Sequence, residues 1–425
     1  MDWWLKPRAL ALLSTLSSPV STLKRSIRRK DACIEMHILG FLLGVLAHIA
    51  AARHLERHRC LMYLTGQHPV VPEYRLTKHI THVALAFLNS NLFNEDETPA
   101  EWPLFATPET LREKFHPGTK FIVAIGGWGD TAGFDIAAKD EASREKWAKN
   151  VVKMVEELGA DGVDVDWEYP GGNGEDYKQI PNAQKAWEIA AYPILLRRLR
   201  AHLGPSKLIT AAVPGLERDM LAFTPETVPE ILSSIDFLNV MTYDMFNRRD
   251  NVTKHHTGVQ LSKQALRAYM RRGADACKLN VGLAFYVRWA LVDGDCPPGN
   301  ELGCPTGLME DPDTGGDLGR AGSFAYHDEV PDGLKASYER ALVEGVYDEV
   351  GGGDYYWDTE ERRFWTFDTP EAIRPKFDVL VKDLGLGGVF AWGLGEDADE
   401  FAHLRVVDRE MGRLWRDDWE EKREL

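Results

Sequence analysis

The stretch Asp161-Gly162-Val163-Asp164-Val165-Asp166-Trp167-Glu168-Tyr169-Pro170 constrains this chain more than any other. Four acidic residues fall within eight positions of an otherwise apolar run that is short, β-branched and closed by a proline, which reads as a buried strand. Side chains alternate between the faces of a strand, so Asp164, Asp166 and Glu168 stand on one side and rise about 7 Å per pair of residues. Val163, Val165 and Trp167 occupy the other side and need burial of their own. A buried file of three carboxyls is costly unless protons are shared or partners supplied, so a purely structural use is hard to justify. A solvated acidic face is the alternative, and the apolar side of the same strand argues against it.

The rest of the chain alternates short apolar runs with amphipathic segments, the pattern of repeated βα units. Runs at Cys60–Leu64, His82–Leu88 and Phe121–Ile125 precede the acidic strand, and the third ends in Gly126-Gly127-Trp128. A helix over Ser143–Leu158, with Trp147, Val151, Met154 and Val155 at helical spacing, leads into it. Runs at Leu208–Pro214, Phe237–Asp244, Leu279–Tyr286 and Gly388–Trp392 follow. Eight such units imply an α/β fold, a (β/α)8 TIM barrel whose functional site belongs at the C-terminal ends of the strands. The interval from 290 to 368 is too long for a simple crossover. It reads as a small α+β insertion between strand seven and helix seven, with a helical piece at Leu334–Val346 and strand-like Tyr355–Trp357 and Phe364–Phe367. Asp397–Asp418 reads as the last helix, followed by a frayed charged end.

The 425 residues are compatible with one (β/α)8 domain over 53–425. A net charge of −16 argues against nucleic acid or an anionic membrane surface as partner, whereas a neutral glycan is compatible. Residues 1–52 read as an N-terminal extension and secretory signal: the basic stretch Lys24–Lys30 precedes the apolar segment Ile38–Ala52, which is shorter than the roughly twenty residues of a membrane span. Met36 is a candidate true start, cleavage falls near Arg53, and the mature protein is expected outside the cell and free of the membrane. An uncleaved anchor and a surface helix are the alternatives. Cys296 and Cys304 bracket a Pro/Gly-rich loop that a disulfide could close, Cys60 and Cys277 read as buried free thiols, and Asn251-Val252-Thr253 is a glycosylation sequon. No metal and no cofactor is expected, because no His/Cys/carboxylate cluster has ligand spacing; His255-His256 reads as a solvated turn.

Asp164-x-Asp166-x-Glu168, with Asp161 before it and Tyr169-Pro170 after it, resembles the catalytic signature of glycoside hydrolase family 18, the chitinases and their relatives, here of the fungal type with an insertion after strand seven. Gly126-Gly127-Trp128 is similar to the family's third-strand motif, with Ala124 where Ser is usual. Met241-Thr242-Tyr243-Asp244 is similar to the sixth, Tyr286-x-Arg288 to the seventh and Gly387-Gly388-x-x-x-Trp392 to the eighth. An acidic residue usually follows that Trp closely, whereas Gly393-Leu394-Gly395 here intervenes before Glu396 and Asp397. The resemblance implies retaining hydrolysis of β-1,4-linked N-acetylglucosamine polymers, in which the substrate's own 2-acetamido group replaces an enzyme nucleophile. Glu168 would be the acid, its pKa raised by two carboxylates below it. Asp166 would stabilise the oxazolinium ion, Asp164 would share a proton with Asp166, and Tyr243 would donate to the acetamido oxygen. Trp392 would floor the site, lined by Tyr63, Phe87, Gly127, Trp128, Met241 and Tyr286, while Asp244 and Arg288 make polar contacts; Asp161 and Gly126 would be structural. The implied partners are chitin or N-acetylglucosamine oligosaccharides, met by a monomer. An endo-β-N-acetylglucosaminidase acting on N-glycans and a non-hydrolytic chitin-binding lectin are the rival readings.

Overall fold

The computed structural model describes residues 58–424 except 295, 298 and 300, so the expected leader and cleavage point lie outside the described residues. Seven parallel strands follow one another: β1 (Arg59–Thr65), β2 (His82–Leu88), β3 (Lys120–Gly126), β4 (Gly162–Asp166), β5 (Leu208–Pro214), β6 (Phe237–Met241) and β7 (Leu279–Ala284). Five strands of a second sheet intervene: β8 (Tyr286–Leu291), β9 (Ala321–Ala325), β10 (Val346–Asp348), β11 (Gly353–Asp358) and β12 (Arg363–Phe367). Then β13 (Gly388–Trp392) pairs with both β7 and β1 and closes an eight-stranded barrel. Both faces of these strands are covered, by helices outside and side chains within, which is why each reads as a continuous apolar run. The helix before β4 spans Glu141–Glu157, is capped by Asp140 accepting from Ser143 N–H, and buries Trp147, Val151, Met154 and Val155 as its spacing predicts.

The barrel interior is not wholly apolar. Arg59 Nε donates to Asn280 Oδ1 (3.1 Å), Asn280 Nδ2 to Asn239 Oδ1 (3.0 Å), and Asn239 Nδ2 to Asp164 Oδ1 (3.4 Å). A chain of side-chain amides thus runs from the closed end of the barrel to the lowest of the acidic residues, satisfying groups that would otherwise be costly to bury. At that closed end Asp161 accepts from Phe121 N–H (2.9 Å) and Arg112 (3.0 Å), tying β3 to β4.

The second sheet is antiparallel, in the order β10-β11-β12-β8-β9, and the helix Lys335–Glu344 packs on it. Only Phe285 separates β7 from β8, so the sequence pattern merges the two; Ala321–Ala325 lacks β-branched residues and gives no strand signal. Trp365 anchors this unit, fully buried among Val287, Phe324 and Tyr338, with its indole N–H donated to Ser337 Oγ at 2.9 Å. Cys296 and Cys304 are bonded, and the Thr253 hydroxyl accepts from Cys304 N–H (2.9 Å), while Asn251 at the head of that sequon is exposed.

Three expectations are corrected. His255 and His256 are buried, not solvated, because the second sheet folds over their loop: His255 lies 3.0 Å from Asp348 of β10, and His256 N–H donates to Thr366 of β12. Cys60 is buried, but Cys277 is exposed in a short turn before β7. The last helix runs over Ala402–Glu424, starting later and ending beyond the expected Asp397–Asp418. Among the described residues no helix is long and apolar enough to cross a membrane.

Replacing Trp365 by Ala should cost about 3–5 kcal/mol, the range for emptying a fully buried indole site. Chemical denaturation followed by far-UV circular dichroism checks it; an unchanged unfolding midpoint would show that the insertion does not depend on this anchor.

Candidate active site

The hydrogen-bonded part of the acidic strand ends at Asp166, and Trp167-Glu168 continue from it into the mouth of the barrel. Two glycines make room there. Gly127 N–H donates to Asp166 O at 2.8 Å, and a Cβ at Gly126 (φ 107°) would stand 2.1 Å from that same oxygen. A Cβ at Gly127 (φ 94°) would strike the Phe87 ring at 2.8 Å. Both conformations lie where L residues with side chains are strained. On the far face of the strand Val163, Val165 and Trp167 are buried, with Trp167 stacked on Phe134 at 5.2 Å.

The three inward acids are held differently. Asp164 is fully buried and accepts from Tyr63 Oη (2.8 Å), the Thr210 hydroxyl and Asn239. Burial pushes its pKa up to about 6 against the pull of these donors. With alanine at 124, β3 supplies no hydroxyl; Thr210, in register with Asp164 on the neighbouring β5, supplies one. Asp166 is 3% exposed, and its Oδ1 has no hydrogen-bond partner within the protein. Burial first, then the fields of Glu168 and Asp164, hold its pKa well above the usual carboxylate range. Glu168 is buried at the mouth with its pKa raised to about 7. The direction is the one expected, but burial is the main cause; the Tyr169 hydroxyl opposes it, and the negative fields of Asp244 and Asp219 add to it. Asp164 accepts from three donors, and its field acts on Asp166 from one rung below.

Around this file the expected residues converge. Tyr243 is buried, and after burial its pKa is raised most by Asp166 and Glu168, which places its hydroxyl in their field. Trp392 stacks on Phe87 (5.6 Å, 19°) and tilts against Tyr63. Asp244 accepts from Tyr286 Oη and Arg288 Nε; burial works against its ionisation, and the Arg288 charge outweighs it, so its pKa is lowered. These residues, with Met241, Gly126, Gly127 and the half-exposed Trp128, line one cleft of about 1180 Å³. Asp164 lies one rung below it, and Asp161 at the opposite end of the strand.

The sequence did not reveal what positions the loop after Glu168. Gly171 N–H donates to buried Glu188, and Arg249 donates to the carbonyls of Asn173 and Gly174 while its guanidinium lies 3.7 Å from the Tyr177 ring centre. Tyr177 Oη donates to Glu310, Lys178 Nζ to Pro312 O (2.6 Å) and Gln179 Nε2 to Thr314 O (2.9 Å). The loop after β4 is thereby joined to the insertion over the loops that follow β5 and β6. Asp219 and Glu396 also line the cleft. Polar residues at inward positions of apolar strands could have pointed to Thr210, Asn239 and Asn280; nothing in the pattern marks Arg249 or Tyr177.

Residues 59–397 match the family model described as "Glycosyl hydrolases family 18". The chain belongs to that family. Among relatives of this family 18 member, Chitinase A1 of Niallia circulans is 27% identical over 312 residues, which cover 67% of this chain and 42% of that protein. Chitinase C of Streptomyces lividans is 29% identical over 308 residues, covering 68% of this chain and 44% of that protein. The match thus spans less than half the length of these two relatives. Among solved structures, a chitinase from Rhizomucor miehei superposes with a TM-score of 0.65 at 20% identity, covering 83% of this chain and 99% of the other. A family 18 N-acetylglucosaminidase from Paenibacillus barengoltzii does so with a TM-score of 0.60 at 23% identity, covering 83% of this chain and 100% of the other. Both bear out the barrel.

A carboxyl whose folded pKa is raised favours the folded state at low pH and loses that contribution as pH rises toward the folded value. For Glu168 the window runs from its unfolded value near 4.5 to about 7. A Glu168→Gln variant has no such titration, so its stability relative to the parent should rise between pH 5 and 8, by on the order of 1–3 kcal/mol. Parallel urea titrations across that range check this; a pH-independent difference would contradict a raised pKa.

Proposed function

We propose that this family 18 protein hydrolyses β-1,4-linked N-acetylglucosamine chains with retention of anomeric configuration, the reacting sugar's acetamido group doing the attacking. The observation that carries the reading is the buried file ending in Glu168 at the mouth, with Asp166 Oδ1 unpartnered beneath it and the buried Tyr243 in the field of both. Glu168, with a pKa raised to about 7, holds the proton that the leaving oxygen requires near neutrality. Asp166 offers a free acceptor to the acetamido N–H and becomes a compensating charge when the oxazolinium ion forms. Tyr243 donates to the acetamido oxygen and turns it toward the anomeric carbon. Glu168, now a carboxylate, then takes a proton from water as the water opens the oxazolinium ring from the face the leaving oxygen left, and so regains its acid form. Trp392, backed by Phe87, is the apolar platform under the distorted sugar, and Asp244 and Arg288 bind hydroxyls beside it. The chitinases among the relatives support chitin as the polymer.

The proposal extends to a monomer working outside the cell and free of the membrane. Its support is the leader-like segment before Arg53, the bonded Cys296–Cys304 pair and the exposed Asn251. N-terminal sequencing of protein collected from medium tests export: a terminus upstream of Arg53 would refute cleavage there.

Glu168→Gln should abolish most turnover of chitin oligosaccharides while leaving their binding nearly intact, as read by product chromatography and calorimetry. Asp166→Asn should lower kcat by about 10²-fold or more, the order for removing one preorganised electrostatic group. Rapid anomeric analysis of the first products should give the β form; α products, or full-rate turnover in either variant, would overturn the mechanism.

A further inference from the structure

The wall of the cleft formed by the loops after β13 and β1 carries a carboxyl that the mechanism above does not use. Glu396, four residues beyond Trp392, is 7% exposed and lines the cleft. It accepts no hydrogen bond from the described side chains, and the imidazole nearest it, His68 Nδ1, stands 3.9 Å away, beyond hydrogen-bond reach. His68 is itself committed through Nε2 to Asp328 at 2.8 Å. A nearly buried carboxyl without a donor is uncommon, and here it faces the space a sugar would occupy beside the Trp392–Phe87 stack.

The field around it has one sign. Ten carboxyl side chains line the cleft against three arginines, one histidine and no lysine. The three arginines are already matched: Arg288 to Asp244, Arg249 to Asp219 (3.9 Å) and Arg248 to Asp317 (3.4 Å). A cleft lined by one sign of charge concentrates ligands of the other.

We propose that Glu396 binds the free amine of a glucosamine unit seated next to the reacting sugar, so that the preferred substrate is a partly deacetylated N-acetylglucosamine chain. This rests on the hydrolysis proposed above and specifies its substrate. The two requirements are compatible: the reacting unit must keep its acetamido group, which forms the new bond to the anomeric carbon, whereas its neighbour supplies only binding. An ammonium offers three N–H donors to a carboxyl that lacks any. Burial, then the negative fields of Asp328 and Asp244, raise the pKa of Glu396 to about 7 against the pull of His68. In the empty cleft the group is therefore only partly ionised near neutrality, and an arriving cation draws out the remaining proton.

The test uses the full chain and chitosan oligosaccharides of defined acetylation, with products sequenced by mass spectrometry after reducing-end labelling. The expected result is N-acetylglucosamine invariant at the reacting position and glucosamine enriched at one fixed neighbouring position. For an oligomer with glucosamine there, Glu396→Gln should lower the kcat/KM ratio over the fully acetylated oligomer about tenfold, the scale of one hydrogen bond to a charged group. Glu396→Asp should restore part of that ratio, which a merely structural role would not do. Cleavage of acetylated oligomers without glucosamine enrichment in the parent enzyme would sink this inference and leave the hydrolysis standing. Enrichment that survives in Glu396→Gln would remove Glu396 from the role, and failure to cleave either substrate would overturn both proposals.

Discussion

Burying carboxyls without neutralising them with cations is the constraint to which the rest of this barrel answers. The protein meets it unequally along β4. Asp164 receives donors from three other strands, through Tyr63, Thr210 and Asn239, and is tied by way of Asn239 and Asn280 to Arg59 at the closed end. Asp166, one rung higher, has an oxygen with no partner, and Glu168 stands at the mouth with its pKa near 7. Satisfaction thus falls from the closed end of the barrel toward the opening. The group left wanting a partner is the one a ligand can reach.

The gradient depends on a rigid frame. Gly126 lets β3 approach the last carbonyl of β4, which no side chain would permit, and Gly127 leaves room for the Phe87 ring. The loop that leaves Glu168 is held by Glu188 below it, by Arg249 beneath Tyr177, and by the insertion through Glu310, Pro312 and Thr314. An insertion that looks peripheral in the chain is therefore bonded to the loop that follows the acid. It also buries His255 and His256 behind Asp244 and Tyr286, where a solvated turn was expected.

The acidic surplus of the whole chain is concentrated in the cleft as well as spread over the outside. Each cleft arginine is matched to a carboxylate, so the remaining acids act together on whatever enters. Glu396 belongs to that surplus. Its late position after Trp392, a departure from the spacing of the family pattern, puts it against His68 and Asp328 in the wall beside the aromatic platform.

The sequence by itself determined the barrel, the order of its strands and the identity of the central acids. Those follow from period and composition: a strand buried on both faces must be apolar throughout, so every inward polar residue stands out, and the family signature falls on those positions. Asp164, Asp166 and Glu168 were legible for that reason, and Tyr243 and Trp392 through the family resemblance alone. Only the tertiary structure decided which donors satisfy Asp164, that burial more than neighbouring charge raises the pKa of Glu168, and that Tyr177, Arg249 and Glu396 share the cleft. Such facts depend on contacts between residues far apart in the chain and on how deeply each is shielded from water, and neither quantity has a local periodicity to read.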